Sequence, residues 1–139
     1  KQFIIMTTIE EHKKIINELE EDIKEKIRRG IIAQRQKIIG FAASEGSVNC
    51  FALLLHKQKL ISEGFNVNHR WFSSMRRVEE KFPFDFSQKQ QLLNKLIKEE
   101  QLRDRLCYGK SKTKEDVEEA IRIFFDIKKI VEKEIGEEI

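Results

Sequence analysis

The 139-residue sequence has one proline, six glycines, two cysteines, three histidines, one tryptophan and one tyrosine. Scarce proline and glycine, with apolar residues recurring at spacings of three and four, predict an almost entirely helical chain and leave strands no place. Cys50 and Cys107 stand far apart without metal-ligand spacing, so no disulfide framework is expected, and a reduced, cytoplasmic protein is. His12, His56 and His69 fall in three different predicted helices, and no pair has the spacing of a zinc or di-iron site; neither a metal nor a cofactor is expected. The chain does not open on a charged segment, an apolar run and a cleavage site, and its apolar stretches fall short of a bilayer span. Neither a secretion signal nor a membrane segment is therefore expected. An excess of one charge is lacking too: 27 Lys and Arg against 24 Asp and Glu give +3, which permits contact with RNA or phosphate without arguing for it.

What is present suits one folded domain over residues 1–139. With 40% hydrophobic residues, 19 of the residues being Ile, the chain can bury a core and is not a disordered charged tail. It is too short for a second catalytic domain.

The first helix is expected to start near Thr8, with Glu11 closing a capping box, and to end at Arg28, Arg29 and Gly30; its apolar stripe is Ile9, Ile16, Leu19, Ile23 and Ile27. A second, from about Ile31 to Ile61 with Gly64 as its stop, is apolar nearly all round (Ile32, Ile38, Phe41, Phe51, Leu54, Leu55) and so belongs at the centre. A short third helix over Asn68 to Lys81 ends ahead of Pro83, because the residue before proline avoids the helical region. Ser87, with Gln90, caps a fourth reaching about Tyr108, where Gly109 is a left-handed stop. Thr113, with Asp116, starts a fifth carrying Val117, Ile121, Phe124, Val131 and Ile135. The predicted fold class is all-α: an antiparallel four-helix up-and-down bundle with one additional short helix.

The informative positions are polar residues on faces that the helical period assigns to the core. On the fourth helix Leu92, Leu96, Leu106 and Cys107 define the inward face, and Arg103 falls within that arc. An unpaired guanidinium there would cost several kcal/mol, so Arg103 needs a carboxylate, a ring of carbonyls, or an opening to a ligand. The second helix offers a strip of Ile38, Ala42, Glu45, Asn49, Leu53, His56 and Leu60, in which Glu45, Asn49 and His56 form a polar ladder. Arg103 and Glu45 are expected to meet, with Asn49 in support and Gly46 admitting a close neighbour; a buried pair that only fixes helix register is the alternative.

Arg103, Arg105 and Lys110, with the Tyr108 hydroxyl, gather at a helix end and are suited to holding phosphate, since guanidinium forks bind it bidentately. Arg105 and Lys110 also fit as solvated charges near a helix C-terminus. His69 and Arg70, next to Trp71 and Phe72 and followed by Arg76 and Arg77, mix basic and aromatic groups as nucleic-acid surfaces do. Trp71 and Phe72 themselves read as core or interface anchors.

The string Leu102-Arg103-Asp104-Arg105-Leu106-Cys107-Tyr108-Gly109, followed by a capped amphipathic helix, resembles the HEPN (higher eukaryotes and prokaryotes nucleotide-binding) helical domains over residues 38–135. The family pattern is an Arg, then a polar residue, and a His separated from the Arg by four to six intervening residues, late in a helix. Arg103 and Asp104 match it, and Tyr108 stands at the His position. Many members are metal-independent ribonucleases whose two protomers share one cleft, and many are toxins paired with a small nucleotidyltransferase antitoxin. The resemblance therefore implies a homodimer that acts on RNA or binds nucleotide, with Arg103, Asp104 and Tyr108 as its catalytic residues. A non-catalytic dimer binding RNA, nucleotide or protein is the other role it allows. A phenol is a poorer base at neutral pH than an imidazole, but it can donate a hydrogen bond or protonate a leaving oxygen.

On a regular helix Tyr108 sits about 140° around from Arg103, so the two converge only if the helix unwinds before Gly109 or a partner protomer supplies one of them. Ile123 and Ile130, beside the main stripe of the fifth helix, are the surface expected to serve a dimer.

Overall fold

From Ala42 to His56 every residue is buried except Glu45, which is half-buried. A helix apolar on every face must be enclosed by other helices. The structure, a computed structural model, describes the backbone of residues 2–139 and the side chains of residues 8–139. Among the described residues the chain is an all-α helical bundle: α1 (Gln2–Arg28), α2 (Gln36–Lys57), α3 (Met75–Lys81), α4 (Lys89–Cys107) and α5 (Lys114–Ile135), with 3-10 turns at Ala33–Arg35 and His69–Ser73. α2 lies at the centre and packs against α1, α4 and α5.

Polar contacts along these packed pairs run in opposite numerical order. Between α2 and α4, Gln36 Nε2 donates to the Leu106 carbonyl (3.2 Å), Arg103 meets Glu45, and Ser47 meets Glu99. Between α4 and α5 the ion pairs are Arg105–Asp116 (2.9 Å) and Lys95–Asp126 (3.4 Å). Lys128 of α5 reaches Glu20 of α1 (2.5 Å), and Lys13 of α1 pairs with Glu137 beyond α5. Gly46 lets α5 come close: a Cβ there would lie 2.5 Å from the Phe124 ring, so only glycine fits without displacement.

The segment Ala33–Lys57 is, by length and composition, long and apolar enough to cross a membrane (hydropathy 1.6), contrary to the sequence expectation. Its packing supplies the reason, because 78% of that apolar window is buried inside the bundle.

Several helix ends also differ from expectation, each with a local cause. Thr8 lies inside α1, so the Thr8–Glu11 box does not start it, and Ile27 of the expected stripe is 45% exposed. α1 does stop at Gly30, whose left-handed backbone (φ +67) lets the Ile31 N–H reach the Lys26 carbonyl (3.1 Å). α2 ends before Ile61 and without Gly64: Lys59 turns left-handed (φ 57) and the Leu60 N–H returns to the Leu55 carbonyl (2.9 Å). The expected third helix is broken at Ser74, which is extended, and whose Oγ accepts from the Arg77 N–H (3.2 Å) to start α3. Ser87 does not cap α4; Gln88, left-handed at φ 67, precedes it without a side-chain capping bond. Thr113 caps α5 as expected, its Oγ1 accepting from the Asp116 N–H (3.3 Å). Ile123 is buried and Ile130 half-buried against the core, so that arc of α5 faces its neighbours rather than a partner.

Candidate functional site

The period of α4 carries Leu92, Leu96, Leu102 and Leu106 into the core and takes Arg103 most of the way with them. The Arg103 side chain is 14% exposed; its Nη1 donates to Glu45 Oε1 (2.9 Å) and to Ser44 Oγ (3.2 Å). Its guanidinium carbon lies 5.1 Å from the centre of the Phe41 ring, a cation–π distance. Both hydrogen bonds use Nη1, which leaves Nη2 and Nε without a partner among the described residues. Arg103 is not sealed in: it lines a groove of about 580 Å³.

The opposite wall of that groove is held by aromatic packing. Phe72 is fully buried, edge-on to Phe51 of α2 (5.8 Å) and stacked on Phe82 (5.9 Å). Trp71 is half-buried against Phe65 (5.6 Å), with the Lys81 ammonium 4.7 Å over its ring. Trp71 and Phe72 are thus the anchors that the sequence suggested. Because they fix the 3-10 turn against α2 and α4, its neighbours His69, Arg70 and Ser73 line the groove, joined by Arg77 from α3. Glu100 and Asp104 flank Arg103 on the α4 side. His69 Nδ1 lies 2.8 Å from Glu100 Oε1. A carboxylate only accepts, so Nδ1 carries the hydrogen; among the described residues Nε2 has no partner.

Tyr108 closes the end of the groove. α4 ends at Cys107, and Tyr108 takes an extended backbone (φ −129, ψ 150), with left-handed Gly109 (φ +80) after it. The helix unwinds where convergence with Arg103 requires it, and the 67%-exposed phenol lines the same groove. Buried Gln36 ties this end down: its Nε2 donates to the Leu106 carbonyl, and its Oε1 accepts from the Lys112 N–H (2.9 Å).

Of the sequence-selected residues, Arg103, Asp104, Tyr108, His69 and Arg70 meet in one place, and Glu45 holds Arg103 from behind. Arg105 does not join them; it pairs with Asp116 of α5 on the surface. Lys110 is exposed and lies outside the groove lining. Asn49 does not touch Arg103: its Nδ2 donates to the Glu45 carbonyl (2.8 Å) and its Oδ1 faces His12 Nδ1 (2.7 Å). His12 stacks on buried His56 (ring centres 5.4 Å apart), so the lower part of the polar ladder faces α1. Burial, and then the neighbouring His12, hold the His56 pKa below its ordinary value.

Sequence reasoning passed over Glu100 and Gln36, and named Arg77 only within the basic and aromatic segment that follows His69. Glu100 had a signal, since a residue three before Arg103 shares its helix face; Gln36 had none. The groove sets three guanidinium groups (Arg70, Arg77, Arg103) and an imidazole against two carboxylates, a surface that can hold an anion and move a proton. Among the described residues no three His, Cys, Asp or Glu side chains converge as a metal site needs. A second concavity of about 420 Å³ joins Ile27, Gly30, Ile32, Ala33 and Gln34 to Lys114 and Glu118, without an imidazole or guanidinium. Comparison with family models, curated proteins and solved structures gave no match.

Proposed function

We propose that this protein is a HEPN-like module that binds RNA through the groove between α4 and the His69–Ser73 turn and cleaves it without a metal. The carrying observation is that two segments far apart in sequence, His69–Arg70 and Arg103–Tyr108, line one groove of about 580 Å³. Arg103, with Nη2 and Nε unpaired among the described residues, binds a phosphate and stabilises the charge that builds on it during cleavage. Tyr108 supplies a proton, and Arg70 and Arg77 hold the adjoining backbone. An antiparallel up-and-down course of the four long helices is supported by the reversed order of their contacts. A homodimer is supported by Ile38 (44% exposed) and Phe41 (45% exposed), on the α2 surface beside the end of α4. A cytoplasmic toxin paired with a nucleotidyltransferase antitoxin is the role that the resemblance implies.

A second reading, a non-catalytic dimer that binds RNA, nucleotide or protein, is favoured by the Glu45 carboxylate, which already neutralises part of Arg103. Mixed RNA incubated with the protein in EDTA separates the two. Cleavage by the native chain, lost in Arg103→Ala and reduced in Tyr108→Phe, supports the nuclease. Intact RNA at high protein concentration, with binding that weakens steeply as salt rises, supports the binding module. Size-exclusion chromatography with light scattering reads the dimer.

A further inference from the structure

Besides guanidinium groups and carboxylates the groove holds one imidazole, and it is built in rather than incidental. His69 sits on a turn fixed by the buried Phe72 ring, its side chain is 25% exposed, and its Nδ1 is engaged by Glu100 at 2.8 Å. Glu100 lies one helical turn before Arg103, so a phosphate held by Arg103 would place its sugar near His69. Resting on the reading that the groove takes RNA, we propose that His69, positioned by Glu100, is the base that removes the proton from a ribose 2′-hydroxyl. The substrate class is then single-stranded RNA, whose own hydroxyl is the nucleophile.

The step balances within the groove. His69 Nε2 accepts the 2′-hydroxyl proton as that oxygen bonds to phosphorus, and the bond from phosphorus to the 5′-oxygen breaks. The leaving oxygen takes the Tyr108 hydroxyl proton. His69 then releases its proton to solvent and Tyr108 regains one, leaving a 2′,3′-cyclic phosphate and a 5′-hydroxyl with no water consumed. Glu100 does not touch the substrate; it fixes the tautomer and steadies the imidazolium, as an acidic partner does for a catalytic histidine. The charged groups around the imidazole are Glu100, Arg103 and Asp104 from α4, Arg70 on its own turn, and Arg77 from α3.

The test uses the whole chain in EDTA with a fluorescent single-stranded RNA and its all-deoxy counterpart, reading binding by anisotropy and cleavage by gel and end-group analysis. The native protein is expected to bind both and to cut only the RNA, leaving cyclic phosphate ends. His69→Ala, and the volume-keeping His69→Gln, should each lose at least about a hundredfold in cleavage rate while the dissociation constant moves less than about threefold. Glu100→Gln should slow cleavage while the dissociation constant again moves less than about threefold, because the base loses its orienting partner. Undiminished cleavage by both His69 variants would overturn the base role, as would loss of binding in step with cleavage, which would make His69 a phosphate contact. RNA bound but never cut by the native chain would overturn it and leave the groove reading standing. An absence of RNA binding would remove both.

Discussion

Two carboxylates meet the interface of α2 and α4 in opposite circumstances. Glu45, half-buried behind the groove, faces a guanidinium at 2.9 Å. Glu99, one turn before Arg103 on α4, is 2% exposed and among the described residues finds only a hydroxyl: Ser47 Oγ lies 3.1 Å from its Oε2, and its buried Oε1 has no partner among them. Ser47 Oγ also lies 2.7 Å from the Ala43 carbonyl, so its single hydrogen is shared between two acceptors and Glu99 is weakly served. Burial pushes the Glu99 pKa well up; the Ser47 contact opposes that, and the Glu119 charge adds to it. The same helix pair therefore holds an ion pair where water can enter and favours the neutral form of a carboxyl where it cannot. A polar residue on a core face is a site only at the open end.

The largest expected effect comes from disturbing the seal. Gly46 stands between Ser44 and Glu45, which hold Arg103, and Ser47, which holds Glu99, with the Phe124 ring against it. Gly46→Ala would drive a methyl into that ring and part α2 from α5, at about 3 kcal/mol of stability in a urea titration. A loss below about 0.5 kcal/mol would mean that the closed end is not tightly packed.

Next in size is the sealed carboxyl. Its folded pKa is raised, so the stability it confers is complete below the unfolded carboxylate pKa and is lost as pH climbs from about 5 toward the folded pKa. Glu99→Gln should thus raise stability by about 2 kcal/mol at neutral pH, give nothing near pH 4, and flatten the fall of melting temperature between pH 5 and 7. Equal gains at both pH values would show that Glu99 is ionised in the fold.

The open end was the more legible of the two in the sequence. A helical period alone placed Arg103 inward, named Glu45 as its partner and marked Gly46 as a place of close approach. Thr113 and Gly30 were readable because cap and stop chemistry are local. What the sequence did not reveal depends on packing between distant pieces. The stacking of Phe51, Phe72 and Phe82 brings His69 to Glu100, and no spacing rule connects those residues. Lys59 and Gln88 adopt left-handed backbone without being glycine, so propensity pointed to Gly64 and Ser87 instead. Glu99 was hidden by its type, because glutamate on a charged helix passes for a solvated residue.

A smaller effect on stability distinguishes a working cation from a brace. Glu45 reaches water, so Arg103→Leu leaves a carboxylate that can hydrate, and the change should stay within about 1 kcal/mol. RNA affinity should fall about tenfold over the same substitution. A stability loss of about 3–5 kcal/mol with no change in binding would make Arg103 a brace between α2 and α4.

The smallest expected change belongs to Arg105, which sequence alone offered as either a phosphate contact or a solvated charge. Its side chain is 54% exposed and bonded to Asp116 Oδ2 at 2.9 Å, where solvent screens the pair. Arg105→Ala should shift stability by less than about 0.5 kcal/mol and RNA affinity by less than about twofold. Measured at two salt concentrations beside Arg103→Leu, it checks whether binding is local. If the two arginines contribute equally and both effects fade with salt, the attraction comes from the overall positive charge, and the groove confers no preference. If only Arg103 matters, the anion is held where α4 opens, and the half-buried cation beside Glu45 is what holds it.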